Sequence, residues 1–263
     1  MEKERIFYAD VLRAAAIVAV VLLHTSTKLL YNYYGVAASW WWIANVYNSA
    51  TRWCVPVFVM LSGMFMLKQR EDESAGAFLK KRLPKILIPL LIWGLVYSWW
   101  DFQNYNILRH PEIQRTILKR FITGEVYYHL WFMYLIAGLY LVTPIVRIYV
   151  KHAETKNLEY FLVLCFVANS IYGIAGKLWG IKIGINLNYV AGFTGYYVLG
   201  YYLASKVWSK RVLGVFYGLG SAGLAATVYF TYVFTMRNNG ALDGYFYTYL
   251  SPNVTCTSVA VFL

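Results

Sequence analysis

The chain has 263 residues, of which 60% are hydrophobic and only 14% are charged, and its mean hydropathy is +0.48. An ordinary soluble domain carries about 25% charged residues, so this composition excludes a plain soluble globular domain. The formal net charge of +12 would suggest nucleic acid in a soluble protein, but here the basic residues lie between long apolar stretches. We therefore predict an integral membrane protein with basic loops and no nucleic-acid partner.

The apolar stretches predict the fold, because a spanning helix needs about 20 mostly apolar residues. The chain supplies them at roughly 7–30, 41–67, 84–101, 129–147, 157–175, 188–206 and 211–235, and a shorter one runs from about 249 to 263. The first is predicted to be a retained span rather than a cleaved signal peptide. We expect an all-α polytopic helical bundle with seven full spans and an eighth cut short, in one membrane domain over residues 1–263 that is truncated at its C-terminus.

The loop charges predict the orientation. Fourteen basic residues fall on the side of the N-terminus and eight on the other, which places the N-terminus in the cytoplasm. Residues 101–128 are polar enough for an extracytoplasmic loop that includes a short interfacial helix. Five tryptophans at predicted span ends are typical of an aromatic belt, namely Trp40, Trp41, Trp42, Trp99 and Trp100.

Two arginines lie inside predicted spans, whereas the other 22 of the 24 basic residues fall in loops or at span edges. A charge within a span usually faces a cavity or a partner and marks a functional pathway. Arg13 lies near the membrane edge, so snorkelling to the headgroups is the alternative for it. Arg52 is deeper and follows a polar run that includes Asn45 and Asn48, which indicates a wet interior.

His24 is the second intramembrane signal. It follows Arg13 by eleven residues, about three helical turns, so both side chains point to one face roughly 16 Å apart along the axis. Asp10, one turn before Arg13, is placed to orient or neutralise it. Histidine is suited to accept and return a proton near neutral pH. A buried histidine bonded to a neighbouring helix remains the alternative.

Two further groups are candidates. His129, in the aromatic run before the fourth span, either meets His24 across the bundle or anchors the span at the interface. Lys80, Lys81, Arg82 and Lys85 cluster before the third span. Such a cluster is either a topology signal that contacts lipid headgroups or a site for the phosphates of a nucleotide-bearing donor.

Absent motifs also discriminate. The sequence has no GxxxxGK[ST] phosphate loop, no HExxH and no GxSxG elbow, which disfavours an ATP-driven pump, a membrane zinc protease and a hydrolase of that fold. Its three cysteines, Cys54, Cys165 and Cys256, are widely spaced without a CxxC pair, so we predict neither a disulfide framework nor a metal site. Intramembrane carboxylates are scarce, which disfavours an ion-coupled transporter.

Several motifs resemble the membrane acyltransferase-3 family, bacterial proteins that O-acylate cell-surface glycans. The first is Arg13, ten residues and His24, and the others follow in the expected order. They are Asn48–Arg52 with Val55–Phe58 and Leu61–Gly63, then Phe78–Ile86, and Tyr128–Phe132 with Thr143–Ile145. The fourth resembles the branch of the enterobacterial common antigen O-acetyltransferase. Family members usually have more spans than this chain supplies.

The resemblance implies a membrane O-acetyltransferase of the bacterial plasma membrane that modifies cell-envelope polysaccharide. Its donor would be acetyl-CoA bound from the cytoplasm, with no permanently bound cofactor, and its acceptor a hydroxyl of an extracytoplasmic or lipid-linked glycan. On this hypothesis Lys81, Arg82, Lys85 and Arg13 hold the donor phosphates. Asp10 positions Arg13, and His24 is general base or transient acyl carrier. Arg52 and His129 stabilise the oxyanion or orient the sugar.

Two other classes are consistent with the residues. A transporter or flippase of a lipid-linked sugar would use the intramembrane arginines for an anionic path without making a bond. A sensory module would bind acyl-CoA without turnover. Detection of an acylated glycan distinguishes the acyltransferase hypothesis from the transporter and from the sensory module.

Overall fold

The computed structural model describes residues 7–31, 33–68, 73–105, 119–180 and 192–263, and these residues form helices and turns without a β-strand among them. In chain order the α-helices are α1 Phe7–Leu30, α2 Ala38–Thr51, α3 Cys54–Met66, α4 Ala75–Arg82, α5 Pro84–Tyr105, α6 Trp131–His152, α7 Thr155–Phe166, α8 Tyr172–Trp179, α9 Thr194–Ala204, α10 Lys210–Arg237 and α11 Pro252–Phe262. A π-helical turn, Val167–Ile171, joins α7 to α8, and a 3₁₀ turn, Tyr245–Tyr247, precedes α11.

Six helical stretches in these ranges are long and apolar enough to cross a membrane. They are Phe7–Leu30, Ala38–Met66, Ala75–Trp100, Trp131–His152, Thr155–Trp179 and Lys210–Arg237. This confirms the prediction of an all-helical, multi-pass membrane protein. The predicted span 188–206 begins outside the described residues, and its described part is α9. Residues 106–118 of the predicted loop 101–128 also lie outside them, so the span count and the orientation stay predictions.

The chain forms two compact units. The first comprises residues 1–68 and 153–263, and the second comprises residues 69–152. The first unit contains α1 to α3 and α7 to α11, whereas the second contains α4 to α6. The assignment of the whole chain to one domain stays a prediction.

The second predicted span is interrupted at Arg52 and Trp53, between α2 and α3. Pro56 explains the interruption, because it has no N–H to donate to the carbonyl of Arg52 four residues earlier. The regular pattern resumes one residue later, where the N–H of Val57 donates to the carbonyl of Trp53 at 3.0 Å. The break therefore places an arginine at a turn inside an otherwise apolar span.

Close packing of α3 on α9 depends on two glycines. A Cβ at Gly63 would lie 1.8 Å from the carbonyl oxygen of Tyr197, and one at Gly200 would lie 2.0 Å from that of Met60. Both neighbours are backbone atoms, so a side chain cannot be accommodated by a rotamer change. Small residues commonly allow such approach between membrane helices.

We expect Gly63→Ala to destabilise the protein by at least about 1–3 kcal/mol, because overpacking forces the two backbones apart. Gly214→Ala is the matched control, since a Cβ at Gly214 would meet nothing within 4 Å. The melting temperatures of the two detergent-solubilised variants are compared, with size-exclusion chromatography used to monitor thermal unfolding. Equal melting temperatures for the two variants would contradict this packing.

Trp41 departs from the predicted aromatic belt. Its side chain is fully buried in a core cluster with Leu30, Ala44 and Tyr247, and its indole N–H donates to the carbonyl of Leu30 at 3.3 Å. Trp40 is 58% exposed, as a belt residue would be. The prediction for Trp41 was therefore wrong, because the ends of α1 and α2 pack together around it.

Candidate active site

Arg52 is the centre of the candidate site in the first unit. Its guanidinium donates to the side-chain oxygen of Asn48 and, at 3.3 Å, to the carbonyl oxygen of Tyr247. It also lies over two rings, 4.3 Å from the centroid of Tyr247 and 5.9 Å from that of Tyr249. Its Nε is buried and has no hydrogen-bond partner. Among the described residues, no carboxylate forms an ion pair with Arg52.

Asn48 ties this arginine to α1. While its side-chain oxygen accepts from Arg52, its amide nitrogen contacts three oxygens of α1: the carbonyl of Leu23 at 3.0 Å, Ser26 Oγ at 2.9 Å and Thr27 Oγ1 at 3.0 Å. These partners flank His24 in the sequence. Asn48 is completely buried, so the contacts are shielded from solvent.

The two tyrosines come from the connector before α11. The hydroxyl of Tyr247 donates to the side-chain oxygen of Asn45 at 2.5 Å, and the Asn45 amide donates to the carbonyl of Val228 in α10 at 3.0 Å. Burial raises the pKa of Tyr247 to about 12, and it does the same for Tyr249. Both hydroxyls therefore stay protonated near neutral pH, and neither tyrosine neutralises Arg52.

His24 is connected to Arg52 through Asn48. His24 is half-buried on α1, and Asn48, which accepts from Arg52, donates to Leu23 and Ser26 on either side of it in the sequence. A titratable imidazole thus lies on the segment of α1 that the Arg52 cluster holds, and no carboxylate forms an ion pair with that arginine among the described residues. Chemically, the imidazole can accept a proton and the guanidinium can stabilise a developing oxyanion.

Asp10 and Arg13 are paired as the spacing predicts. Arg13 Nη1 lies 2.7 Å from Asp10 Oδ1, and the guanidinium lies 4.6 Å from the ring centroid of Phe65 on α3. The side chains of Arg13 and Asp10 are 41% and 47% exposed, so this pair is accessible, unlike the Arg52 cluster. The continuous α1 separates Arg13 from His24 by about three turns.

The second unit contains the predicted donor-binding cluster, and Arg82 there has an acidic partner. Glu73 forms ion pairs with Arg82 at 2.7 Å and with Arg147 at 3.1 Å. Both guanidinium groups also lie over the fully buried ring of Phe78, at 4.3 and 4.4 Å from its centroid. One carboxylate faces two arginines, so the cluster keeps a positive balance.

Arg147, predicted at the edge of the fourth span, lies inside α6, which continues to His152. Only 9% of its surface is exposed, because Glu73 and Phe78 cover it. Lys80, Lys81 and Lys85 are exposed at the end of α4 and the start of α5. The predicted cluster thus consists of three solvated lysines and of Arg82, which is largely covered and pairs with Glu73.

Glu73 gives the second unit a pH dependence. Burial alone raises its pKa, but the hydrogen bonds and charges of Arg82 and Arg147 outweigh burial and hold the pKa below its ordinary value. A carboxyl with a lowered folded-state pKa stabilises the fold above its unfolded pKa, and this contribution is lost as pH falls through the folded value.

We therefore expect the melting temperature of the wild type to fall as pH drops below about 4.5, the range in which a free glutamate titrates. Glu73→Gln should lower it at neutral pH by at least about 2–4 °C, because two arginines lose their shared partner. The variant should then be less sensitive to acid than the wild type. Parallel curves from pH 7 to acid for both proteins would contradict this role of Glu73.

His129 lies in an aromatic cluster of the second unit. Its ring lies 5.0 Å from that of Tyr97, 4.8 Å from that of Tyr127 and 5.0 Å from that of Tyr128, each nearly edge-on. Tyr97 and Tyr127 stack at 4.1 Å. These contacts suit an anchoring residue and also an aromatic platform for a sugar. The predicted meeting of His129 with His24, which lies in the other unit, stays a prediction.

Sequence reasoning missed Tyr247, Tyr249 and Glu73. The tyrosines approach Arg52 from almost 200 positions away in the chain, as in the contact of Arg52 with Tyr247 at a separation of 195. Glu73 lies in the sequence just before a run of basic residues, for which it is an available acidic partner. Its position nine residues before Arg82 was the available signal.

The fold defines a multi-pass membrane protein, and a polar cluster centred on Arg52 lies where its second spanning stretch is interrupted. Comparison with known families identifies the protein further: the model of the acyltransferase-3 domain, described as an acyltransferase domain, matches residues 6–263. The chain therefore belongs to the acyltransferase-3 family and is a membrane acyltransferase of that general kind. No curated protein and no solved structure matches it.

Proposed function

We propose that the chain is an O-acyltransferase of the bacterial plasma membrane, with its N-terminus in the cytoplasm. It moves an acyl group, most simply acetyl, from cytoplasmic acyl-CoA to a hydroxyl of an extracytoplasmic or lipid-linked glycan, in the manner of the enterobacterial common antigen branch. Family membership supports acyl transfer. The observation that carries the assignment of the site is the buried Asn48, which accepts from Arg52 and donates to residues on either side of His24.

The reaction uses His24 as base. Its imidazole takes the proton of the acceptor hydroxyl while that oxygen forms a bond to the thioester carbonyl carbon. The carbon–sulfur bond then breaks, and the CoA thiolate leaves with the proton that His24 returns. Arg52 stabilises the negative oxygen of the tetrahedral intermediate. In the alternative order, the imidazole first forms an acyl-histidine, which the acceptor hydroxyl then cleaves.

The donor is held by basic side chains. Lys81, Arg82 and Lys85 contact the CoA phosphates, and Arg13, positioned by Asp10, continues that contact. The lysines are exposed and able to pair with phosphate, whereas Arg82 shares Glu73 with Arg147 and contributes through the remaining positive balance of that cluster. His129 and its aromatic neighbours orient the acceptor sugar.

We expect Lys81→Ala and Lys85→Ala each to raise the KM for acetyl-CoA about two- to fivefold, with kcat unchanged, because an exposed ion pair contributes little more than 1 kcal/mol. The effect should shrink as salt is raised. The control is Lys28→Ala, which removes an exposed lysine from the last turn of α1. An unchanged KM in both variants would restrict the cluster to topology.

Covalent product tests the proposed function. The full-length protein is placed in liposomes with a lipid-linked glycan, and radiolabelled acetyl-CoA is supplied. We expect alkali-labile acetyl ester on the glycan, and a mass increase of one acyl group on surface glycans of cells that carry the gene. Translocation of the glycan without ester would instead indicate a flippase, and CoA binding without either outcome a sensory module.

A further inference from the structure

The first unit contains a cavity of about 350 Å³, and none of its wall residues belongs to the Arg52 cluster. Its walls come from α7, the π-helical turn, α9, α10, α11 and the connector before α11, and they are almost wholly apolar. Representative wall residues are Leu162, Phe166, Leu199, Phe216 and Val259. A cavity of this size and composition falls at the lower end of the range typical of small-molecule sites.

The cavity reaches an apolar outer surface. Two of its lining residues, Val163 on α7 and Leu219 on α10, are 60% and 49% exposed. Both helices belong to stretches that are long and apolar enough to span the membrane. Exposed valine and leucine side chains on spanning helices face lipid chains, so this side of the cavity wall is directed toward the bilayer.

One buried polar atom in the cavity wall has no partner. Asn169, in the π-helical turn, donates from its amide nitrogen to the carbonyl of Cys165 at 2.8 Å, while its Oδ1 is buried and unpaired. The carbonyl acceptor fixes the orientation of the amide, because a flipped amide would set two acceptors against each other. Single π turns inside α-helices are frequent at functional sites.

The other polar groups of the wall are already engaged. Ser170 Oγ donates to the carbonyl of Leu250 at 2.7 Å, the Tyr196 hydroxyl donates to that of Tyr249 at 2.6 Å, and Thr255 Oγ1 donates to that of Ser251 at 2.9 Å. Because these hydroxyl groups already donate to backbone carbonyls, none of them donates to the side-chain oxygen of Asn169. An unsatisfied buried acceptor is unfavourable, and a bound donor would relieve it.

We propose that this cavity binds an alkyl chain from the bilayer whose head carries an O–H or N–H donor, and that Asn169 Oδ1 accepts a hydrogen bond from that head. The apolar wall takes the chain, and the asparagine selects for the donor. The site is independent of the proposed acyl transfer, since none of the residues assigned to that reaction lines it.

Photolabelling of the full-length protein in liposomes tests the site. The probe is hexadecanol with a mid-chain diazirine and a terminal alkyne, and the comparison probe is its methyl ether, which has no donor. We expect the alcohol to label peptides of α7 or α10 about three- to tenfold more efficiently than the ether, as one net hydrogen bond allows. Asn169→Leu should label equally with both probes.

A filled cavity provides the second arm. Leu219→Trp should lose labelling by both probes, whereas Val215→Trp, one turn earlier on the exposed face of α10 and outside the cavity wall, should label like the wild type. If Asn169→Leu does not fold, the proposal is still tested by the preference of the wild type for the alcohol over the ether and by the comparison of Leu219→Trp with Val215→Trp. Equal labelling of the wild type by the two probes, undiminished labelling of Leu219→Trp, or crosslinking of a photoreactive residue at position 219 to polypeptide overturns the proposal.

Discussion

Replacing His24 by glutamine is expected to lower kcat/KM for acyl transfer by about 10²–10⁴-fold, the usual contribution of a positioned general base. Glutamine keeps a polar side chain at this half-buried position of α1 but cannot take the proton of the acceptor hydroxyl. Because Asn48 holds the flanking residues of α1 through Leu23 and Ser26, we expect the surrounding packing to persist. Initial rates of glycan acetylation at several acetyl-CoA concentrations measure the effect.

The matched control is His152→Gln. His152 is an exposed histidine in the last turn of α6 and contacts only the carbonyl of Ile148, at 2.9 Å, among the hydrogen bonds described for it. Transfer by this variant should match the wild type within about twofold, as surface substitutions usually do. Wild-type transfer by His24→Gln would remove His24 from the chemistry.

Labelling of the wild type and of His24→Gln by acetyl-CoA distinguishes direct transfer from transfer through an acyl-histidine. Direct transfer leaves no label on the protein when acetyl-CoA is supplied without glycan. An acyl-histidine intermediate would label the wild type with an acetyl group that hydroxylamine releases, and His24→Gln would not be labelled. The kinetic signature would be ping-pong in that case.

Local features of this chain could be predicted from its sequence. The apolar stretches locate the spans because a backbone in lipid must satisfy its hydrogen bonds within a helix. The pair of Asp10 with Arg13 follows from a spacing of three residues on one helix face. The candidate role of Arg52 followed from its depth in a predicted span and from the neighbouring Asn45 and Asn48, which are also local properties.

The surroundings of these residues could not be predicted, because they depend on pairing between distant segments. Nothing near Arg52 in the sequence indicates that Tyr247 and Tyr249 cover it. Buried Trp41 shows the same limit: its position suits an interfacial belt, but the packing of α2 on α1 and Tyr247 encloses it. A single chain without aligned relatives provides no signal for such contacts.

The π-helical turn at Val167–Ile171 is a second such case. The apolar residues around it predict an uninterrupted span, yet the structure has a π-helical turn there, and Asn169 lies in it with a buried side-chain oxygen that has no partner. Backbone hydrogen-bond shifts of this kind arise from packing against neighbouring helices rather than from propensity. A sequence pattern therefore predicts the helix and misses the site on it.

Replacing Arg52 by methionine is expected to lower kcat and kcat/KM together by about 10²–10³-fold, because the guanidinium acts on charge that develops only in the transition state. Arg52→Lys should restore part of the rate but not all, since an ammonium cannot donate to Asn48 and to the Tyr247 carbonyl in the same forked geometry. Arg237→Met, an exposed arginine at the end of α10, is the control for loss of charge.

The melting temperature of Arg52→Met separates a catalytic from a structural role. Methionine removes the cost of desolvating the charge, but it also leaves the buried side-chain oxygen of Asn48 and the carbonyl of Tyr247 without this donor, at about 1–3 kcal/mol for an unsatisfied acceptor. We therefore expect the melting temperature to fall by a few degrees at most, while transfer measured well below that temperature stays reduced by about 10²–10³-fold. A large loss of stability with transfer retained within about threefold would instead assign Arg52 to the fold, as a cross-link between α2 and the connector that carries Tyr247.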